Sequence, residues 1–114
     1  MSNSQTIRLG DIAYARSGDK GAGANVGVIA RSPERYELLR RHLTADRVEA
    51  FFKPMGVGRV VRYELPNLGA INFVLPRILG RGGSVSLRID AQGKALGQAL
   101  LELRLEIPRP ETPR

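Results

Sequence analysis

Apolar and polar residues alternate in several short stretches of this 114-residue chain, a period that is typical of strands with one buried face. The alternation is clearest near the C-terminus, where Leu and Ile alternate with Glu and Arg. In another stretch Val61, Tyr63 and Leu65 share one side of a strand. The pattern predicts strands over residues 9–16, 26–30, 59–65, 85–89 and 101–107.

Helical spacing replaces this alternation between the second and third predicted strands. Ser32-Pro33-Glu34 combines an N-cap, a proline at the first helical position and an acid in the first turn, so a helix is predicted to begin here. Because Thr44 is a second candidate N-cap, residues 33–53 form either one bent helix or two short ones. A further helix is predicted over residues 91–100, just before the last strand.

Residues 66–83 interrupt the regular pattern. Ile71, Val74 and Ile78 are spaced as in a helix, but Pro76 lies inside the pattern and lacks a backbone donor. We therefore predict a short helix or an irregular insertion in this region.

The predicted elements follow the order β-α-β-β-α-β, which is the ferredoxin-like arrangement, with an extra strand at the N-terminal end. The fold class is therefore α+β, in a single domain that spans residues 7–107 and carries the insertion at 66–83. Residues 1–6 and 108–114 are predicted to be disordered tails.

Composition excludes several kinds of chemistry. The chain has no cysteine, so disulfides, thiolate nucleophiles and zinc–thiolate sites are excluded. Its acids are scattered and His42 is its single histidine, so we predict neither a metal site nor a cofactor. No apolar run approaches the roughly 20 residues of a membrane-spanning helix, and no signal peptide is visible. We therefore expect a cytoplasmic protein that does not bind membranes.

The formal net charge of +7 raises the question of nucleic-acid binding. Proteins that bind single strands usually combine a basic groove with aromatic side chains on which bases stack. This chain has no Trp, three Phe and three Tyr, and no aromatic cluster is visible in its sequence. An acidic small molecule or an acidic partner surface fits the charge better than a specific nucleic acid.

Between the first two predicted strands lies a glycine-rich, polar connection that is longer than the two to five residues of an ordinary hairpin. Glycine frees the backbone to turn its N–H groups toward an anion, so we predict an anion-receiving loop rather than a catalytic centre. The alternative is a compact surface loop whose polar side chains bond its own backbone. The predicted ligand-binding residues of this loop are Arg16, Ser17, Gly18, Asp19, Lys20, Gly21 and Asn25.

Two asparagines, Asn67 and Asn72, occur in a mostly apolar stretch of the 66–83 region. An asparagine in such surroundings must find hydrogen-bond partners. Those partners are either local backbone groups or a ligand, and we include both residues among the candidate ligand-binding positions.

Four segments of the chain carry a resemblance to a known family, and the resemblance extends over roughly residues 7–107. They are the residues 9–21, 25–30, 64–73 and 87–94, and Ser-Gly-Asp-Lys-Gly at 17–21 is their most specific part. These segments resemble the AtuA-related family of small ferredoxin-fold proteins, which also occur as the C-terminal domain of AtuA-like acyclic terpene utilisation proteins. The family more commonly has an acid where this chain has Ala22. The resemblance implies a role beside a large catalytic partner in acyl-CoA or terpenoid breakdown, and it assigns no catalytic residue.

The sequence therefore predicts a small subunit or accessory domain of a larger enzyme system in branched acyl-CoA or acyclic terpenoid catabolism. One alternative is a stand-alone small enzyme in which Lys20 or Asp19 of the loop acts as acid or base, and another is a basic RNA-binding module. Two short helices cannot cover the predicted sheet, so we expect one sheet face or edge to be buried by self-association or by a large AtuA-like partner. An acyl-CoA or another anionic small molecule is the expected ligand.

Overall fold

The computed structural model describes residues 4–78 and 94–109, with the backbone alone at Lys20, Lys94 and Ala95. Its strands are β1 Ser4–Arg8, β2 Ala13–Lys20, β3 Gly23–Ala30, β4 Val61–Leu65, β5 Ala70–Leu75 and β6 Arg104–Pro108. Its α-helices are α1 Pro33–His42, α2 Ala45–Phe52 and α3 Lys94–Leu100. Short 3-10 turns at Leu9–Asp11, Lys53–Met55 and Pro66–Leu68 complete the elements of the described ranges.

The strands of the described residues form two antiparallel sheets. Four strands lie in the order β2-β3-β5-β4, and β1 pairs with β6 in a separate two-stranded sheet. From β3 onward the described elements run β3, α1 and α2, β4, β5, α3, β6, which is again a β-α-β-β-α-β order. Its third strand is β5 at 70–75, whereas the sequence predicts that strand at 85–89, outside the described residues. The fold class is therefore confirmed as α+β, with β1 and β2 as N-terminal additions.

The core lies between one face of the four-stranded sheet and the helices. Alternate residues of the two central strands point to this inner face and are fully buried, because successive side chains of a strand face opposite sides. They pack against apolar residues of the helices and of the connections between them. The sheet contributes Ala24, Val26, Val28, Ile71, Phe73 and Leu75, and the helical layer contributes Leu39, Leu43, Val48, Phe52, Leu96 and Leu100.

Two short helices, rather than one bent helix, occupy the predicted helical region. Ser32 Oγ accepts a hydrogen bond from the Arg35 backbone N–H at 3.2 Å, so it caps α1. Thr44 Oγ1 accepts from the Arg47 N–H at 3.1 Å and caps α2 in the same way. Both caps use the residues that the sequence indicates as N-caps.

Arg62 fastens β4 to the end of α1. Its Nε donates to the carbonyl of Leu43 at 3.0 Å and its Nη2 donates to the carbonyl of Arg40 at 2.8 Å. Carbonyls at a helix C-terminus lack intrahelical partners and carry partial negative charge, so a guanidinium is well suited to them. The face of β4 that carries Arg62 is thus turned toward the helices.

The predicted long loop at 16–25 is wrong, because β2 and β3 continue through it as a hairpin. Their register runs from Ala13 opposite Ala30 to Lys20 opposite Gly23, so the turn contains two residues, Gly21 and Ala22. Gly21 has a φ of 61°. A positive φ at the first turn position alone is the type II′ pattern, which suits the twist of a hairpin.

The prediction of a short helix or irregular insertion at 66–83 is also wrong in its described part. Residues 70–75 form β5, which lies inside the sheet between β3 and β4. Their burial alternates as in a strand, so Phe73 is fully buried and Asn72 is not. Pro76 follows the last residue of β5 and costs the sheet no ladder hydrogen bond.

Other boundaries differ from the predicted ones. The first predicted strand, 9–16, begins at Ala13, and residues 4–6 of the predicted N-terminal tail lie in β1. The last strand begins at Arg104, after a turn, and includes Pro108. The predicted strand at 85–89 and the start of the predicted helix at 91–100 lie outside the described residues.

Candidate functional site

The face of the four-stranded sheet that is turned away from the helices, here called the outer face, carries an unusual amount of exposed apolar surface. Tyr14 of β2 is 53% exposed and Tyr63 of β4 is 52% exposed. Val61 and Leu65 are also exposed, and Leu68 in the following turn is 69% exposed. Contiguous exposed apolar surface marks interaction sites more often than isolated apolar residues do. The outer face is therefore the first candidate for a functional surface.

Strand register sets one row of residues across the middle of the outer face. Arg16 lies opposite Gly27, Gly27 opposite Asn72, and Asn72 opposite Tyr63. Because Gly27 has no side chain, the sheet has a depression there, between Arg16 and Asn72. The result is a groove of about 290 Å³ lined by Arg16, Ser17, Gly18, Asn25, Gly27, Ile29, Leu65, Leu68, Ala70 and Asn72.

Two amide side chains stand beside the bare backbone of this groove. A Cβ added to Gly27 would lie 3.9 Å from Asn72 Oδ1, and one added to Gly18 would lie 4.0 Å from Asn25 Oδ1. Within residues 4–78 and 94–109, neither amide makes a hydrogen bond. Each amide offers two donors and one acceptor oxygen. The groove thus presents free hydrogen-bonding groups over an apolar floor.

The charge at the groove is positive. Arg16 is exposed at one end of the central row, and none of the described residues that line the groove is acidic. Beyond it, the Arg31 guanidinium lies 4.0 Å from the centroid of the Tyr14 ring, and Arg31 Nη2 donates to the Gly10 carbonyl at 3.2 Å. A guanidinium forms strong, charge-assisted hydrogen bonds to carboxylate or phosphate. The groove therefore suits an acidic group.

Four residues that the sequence indicates as ligand-binding come together here: Arg16, Gly18, Asn25 and Asn72. Ser17 also lines the groove, but its Oγ accepts a hydrogen bond from the Gly97 backbone N–H of α3 at 3.0 Å. Its hydroxyl is therefore occupied in attaching α3 to β2.

The remaining predicted residues lie elsewhere. Asp19 is exposed near the end of the hairpin and does not line the groove, and Gly21 is in the turn. Lys20 is the last residue of β2, opposite Gly23. The expected convergence of glycine N–H groups is not found, because the N–H groups of an extended strand point alternately to its two edges. Side chains, rather than a backbone nest, would have to bind an anion.

Asn67 does not lie beside Asn72, because it is in the 3-10 turn that precedes β5. It lines a second hollow of about 700 Å³ beside the start of α1, together with Arg31, Ser32 and Tyr36. The Tyr36 hydroxyl is buried and has no partner among the described residues, but it is closed to solvent and out of reach of a molecule in that hollow. Of the first-turn N–H groups of α1, those of Arg35 and Tyr36 bond Ser32, and Pro33 has none. Glu37 also lines this hollow, so its negative charge opposes that of Arg31 and makes the hollow less favourable for an anion than the groove.

One acid on α1 has a perturbed pKa. The hydrogen bond from the Arg40 guanidinium, 2.8 Å from Glu37 Oε1, is the main cause that lowers the pKa of the Glu37 carboxyl, and the charges of Arg40 and Arg41 act in the same direction. The pair is exposed on the helix surface and is an ordinary i, i+3 contact. It indicates no catalytic acid.

In residues 4–78 and 94–109, no three His, Asp or Glu side chains are grouped so that they could hold a metal ion. No helix of these same ranges is long and apolar enough to cross a membrane.

Sequence reasoning missed five lining residues: Gly27, Ile29, Leu65, Leu68 and Ala70. The alternation of side chains along β3 could have indicated Gly27 and Ile29. They alternate with the buried Val26 and Val28 and therefore lie on the same face as Asn25. Ala70 required the recognition of β5, which the sequence pattern did not give.

The fold and the groove define a class: a small α+β domain whose outer sheet face carries an open groove beside Arg16. The chain belongs to the AtuA ferredoxin-like domain family, whose model matches residues 7–106. The predicted family resemblance is thereby confirmed, and it relates the chain to the accessory domain of acyclic terpene utilisation proteins. Comparison with curated proteins and with solved structures gives no match.

Proposed function

We propose that this protein is an accessory subunit of an enzyme system for branched acyl-CoA or acyclic terpenoid catabolism, and that its outer-face groove receives an acidic group. The observation that carries the proposal is the juxtaposition of Arg16 with the free amides of Asn25 and Asn72 around the bare backbone of Gly27. Family membership supports the accessory role. The exposed apolar residues around the groove would contact the remainder of the ligand or a larger catalytic partner.

The contents of the groove favour binding over catalysis. Arg16 is the one ionisable side chain among the described lining residues, and a guanidinium offers hydrogen-bond donors but no acceptor for a proton. The rival reading, a stand-alone enzyme that uses Asp19 as acid or base, places its carboxyl outside the groove. A binding role needs only what the groove contains.

We infer that the ligand of the groove is an acyl-CoA. Its phosphates would meet Arg16, its amide groups would exchange hydrogen bonds with Asn25 and Asn72, and its apolar chain would lie along Ile29 and Leu65. The family's relation to acyl-CoA and terpenoid breakdown motivates this choice, and the chemistry of the groove is compatible with it.

The test compares Arg16→Gln with Arg47→Gln, a control at an exposed position on α2 away from the groove. Binding of coenzyme A and of a branched acyl-CoA is measured by titration calorimetry at low and physiological salt. A hydrogen bond to a charged group contributes roughly 1.5–3 kcal/mol, so the Arg16 variant should bind about ten- to a hundredfold more weakly. Equal affinities of the two variants, with the wild-type chain binding the acyl-CoA, would place the ligand elsewhere.

If the wild-type chain binds no acyl-CoA, the acidic group belongs to the catalytic partner. Affinity capture of partners from the native cell, with the same two variants, decides this. The Arg16 variant should then lose a large partner that the Arg47 variant retains. Retention of every partner by both variants would contradict the proposed role of the groove.

A further inference from the structure

Both edges of the four-stranded sheet are open to other strands within the described part of the chain, because β2 and β4 each pair on one side only. The two edges differ in character. β2 is covered on its inner face by α3, and its outer face carries Arg16, which lines the groove. β4 has five residues, and Val61, Tyr63 and Leu65 leave much of their apolar surface exposed beside a free row of backbone groups. An edge of this kind is a template for another strand.

We propose that β4 pairs antiparallel with β4 of a second copy of this chain, about a twofold axis that passes through the Tyr63 pair. In this register the two Tyr63 residues are opposite each other, and Val61 is opposite Leu65 of the second copy. Arg62 is then opposite Glu64 of the second copy. A twofold contact of this kind uses the same surface on both subunits, so every favourable pair occurs twice.

Charge selects this register over its neighbours. A slip of two residues in one direction would place Arg62 opposite Arg62, and a slip in the other direction would place Glu64 opposite Glu64. Like charges directly opposite each other destabilise a strand pair, whereas opposite charges contribute favourably. In the order Val-Arg-Tyr-Glu-Leu, the arginine and the glutamate are placed symmetrically about the tyrosine, so two antiparallel copies pair opposite charges in this one register.

The charged side chains are already held in place before association. Arg62 has 19% of its side chain exposed, is fixed by its bonds to the carbonyls of Arg40 and Leu43, and its Nη1 donates to Glu64 Oε2 at 2.8 Å. Side chains that are ordered in the free protein lose less entropy on binding. In the dimer each Glu64 would lie between two guanidinium groups.

The dimer is compatible with the groove. Edge pairing joins the two sheets into one antiparallel sheet of eight strands and leaves both outer faces on the same side. This inference is independent of the proposed function, because it concerns the edge of β4 and requires no acidic ligand.

Engineered cysteines test the pairing directly, because the chain contains no natural cysteine. Opposite residues of an antiparallel pair have Cα atoms about 4.5–5.5 Å apart, which is within disulfide range. Tyr63→Cys alone should therefore give a disulfide-linked dimer under mild oxidation. Tyr14→Cys is the matched control, since Tyr14 is 53% exposed, Tyr63 is 52% exposed, and Tyr14 lies on the opposite edge strand.

The register is tested by mixing. Val61→Cys and Leu65→Cys should each cross-link poorly alone, because identical positions would lie four residues, or about 13 Å, apart along the strand pair. An equimolar mixture of the two variants should cross-link several-fold more than either alone. Equal cross-linking of Tyr63→Cys and Tyr14→Cys, or no gain in the mixture, would overturn the proposal.

A charge reversal gives a test without cross-linking. Glu64→Arg would place an arginine opposite Arg62 of the second copy, so sedimentation equilibrium should show a dimer dissociation constant at least tenfold higher than that of the wild type. Glu106→Arg, at an exposed position of β6, is the control and should dimerise as the wild type does. A wild-type chain that sediments as a monomer at every concentration, or equal dimerisation of the two variants, would contradict the inference.

Discussion

Substitution of Gly27 by alanine separates the needs of the fold from those of the groove. A methyl group at this position would lie 3.9 Å from the Arg16 carbonyl oxygen and 3.9 Å from Asn72 Oδ1, which is ordinary van der Waals contact. Gly27 lies within β3 and does not have a positive φ. The fold therefore does not require glycine here, and the open space above Gly27 is available to a ligand.

The expected effect on stability follows from the strand position. Glycine inside a strand is less favourable than alanine by roughly 0.5–1 kcal/mol, so Gly27→Ala should stabilise the protein by about that amount. For a domain of this size 1 kcal/mol shifts the midpoint of thermal unfolding by about 4–8 °C, so a rise of about 2–8 °C is expected. Unfolding followed by circular dichroism measures it.

Gly23→Ala is the matched control, because both glycines lie in β3. A Cβ at Gly23 would lie 2.6 Å from the Leu75 carbonyl oxygen of the neighbouring strand, which is too close, so this variant should unfold at a lower temperature than the wild type. A loss of stability in Gly27→Ala comparable with that of Gly23→Ala would refute the reasoning about space. Gain of stability in Gly27→Ala, with ligand and partner affinities unchanged, would refute the groove as a binding site.

Three further results are expected. Ser17→Ala should destabilise the protein by about 1–3 kcal/mol in denaturant unfolding, because it removes the acceptor for the Gly97 N–H, one of the first four N–H groups of α3. The acyl-CoA affinity should be unchanged, and a selective loss of affinity would contradict this expectation. Because the pKa of Glu37 is lowered, its pair with Arg40 stabilises the fold above the ordinary glutamate pKa, and this stabilisation is lost as the pH falls through the lowered pKa. Glu37→Gln should therefore make the unfolding free energy less dependent on pH in the acid range. An unchanged pH dependence would contradict a stabilising role of the pair. Binding to mixed single-stranded RNA at physiological salt should be weak, roughly 10⁻⁴ to 10⁻⁶ M, and a sub-micromolar, sequence-dependent affinity would favour the RNA-binding alternative.

Sequence patterns located the elements that bury a continuous apolar row or begin with a clear cap. α1 and α2 begin after Ser32 and Thr44, the residues whose side chains cap them. The last strand has alternating buried residues, Leu105 and Ile107, as its sequence predicts. In these cases the local preference and the tertiary structure agree, so a single sequence is sufficient.

The misses arose where tertiary pairing decides the structure. β5 has apolar residues on both of its faces, because it lies in the middle of the sheet, and a short apolar run of this kind does not distinguish strand from helix. β2 carries polar residues because its outer row faces solvent, and its extent is set by the pairing with β3. The outer-face groove combines residues of four strands, so it could not be predicted from the sequence without the order of those strands in the sheet.

The pairing of β1 with β6 determines how this domain can be attached to other proteins. Ser4 lies opposite Pro108, so the polypeptide begins and finishes the described domain side by side, on a sheet that is separate from the one that carries the groove. A covalent fusion at either terminus would therefore emerge from the same corner of the molecule. The same domain could thus be joined to another protein through either end of this small sheet, which is not the sheet that carries the groove.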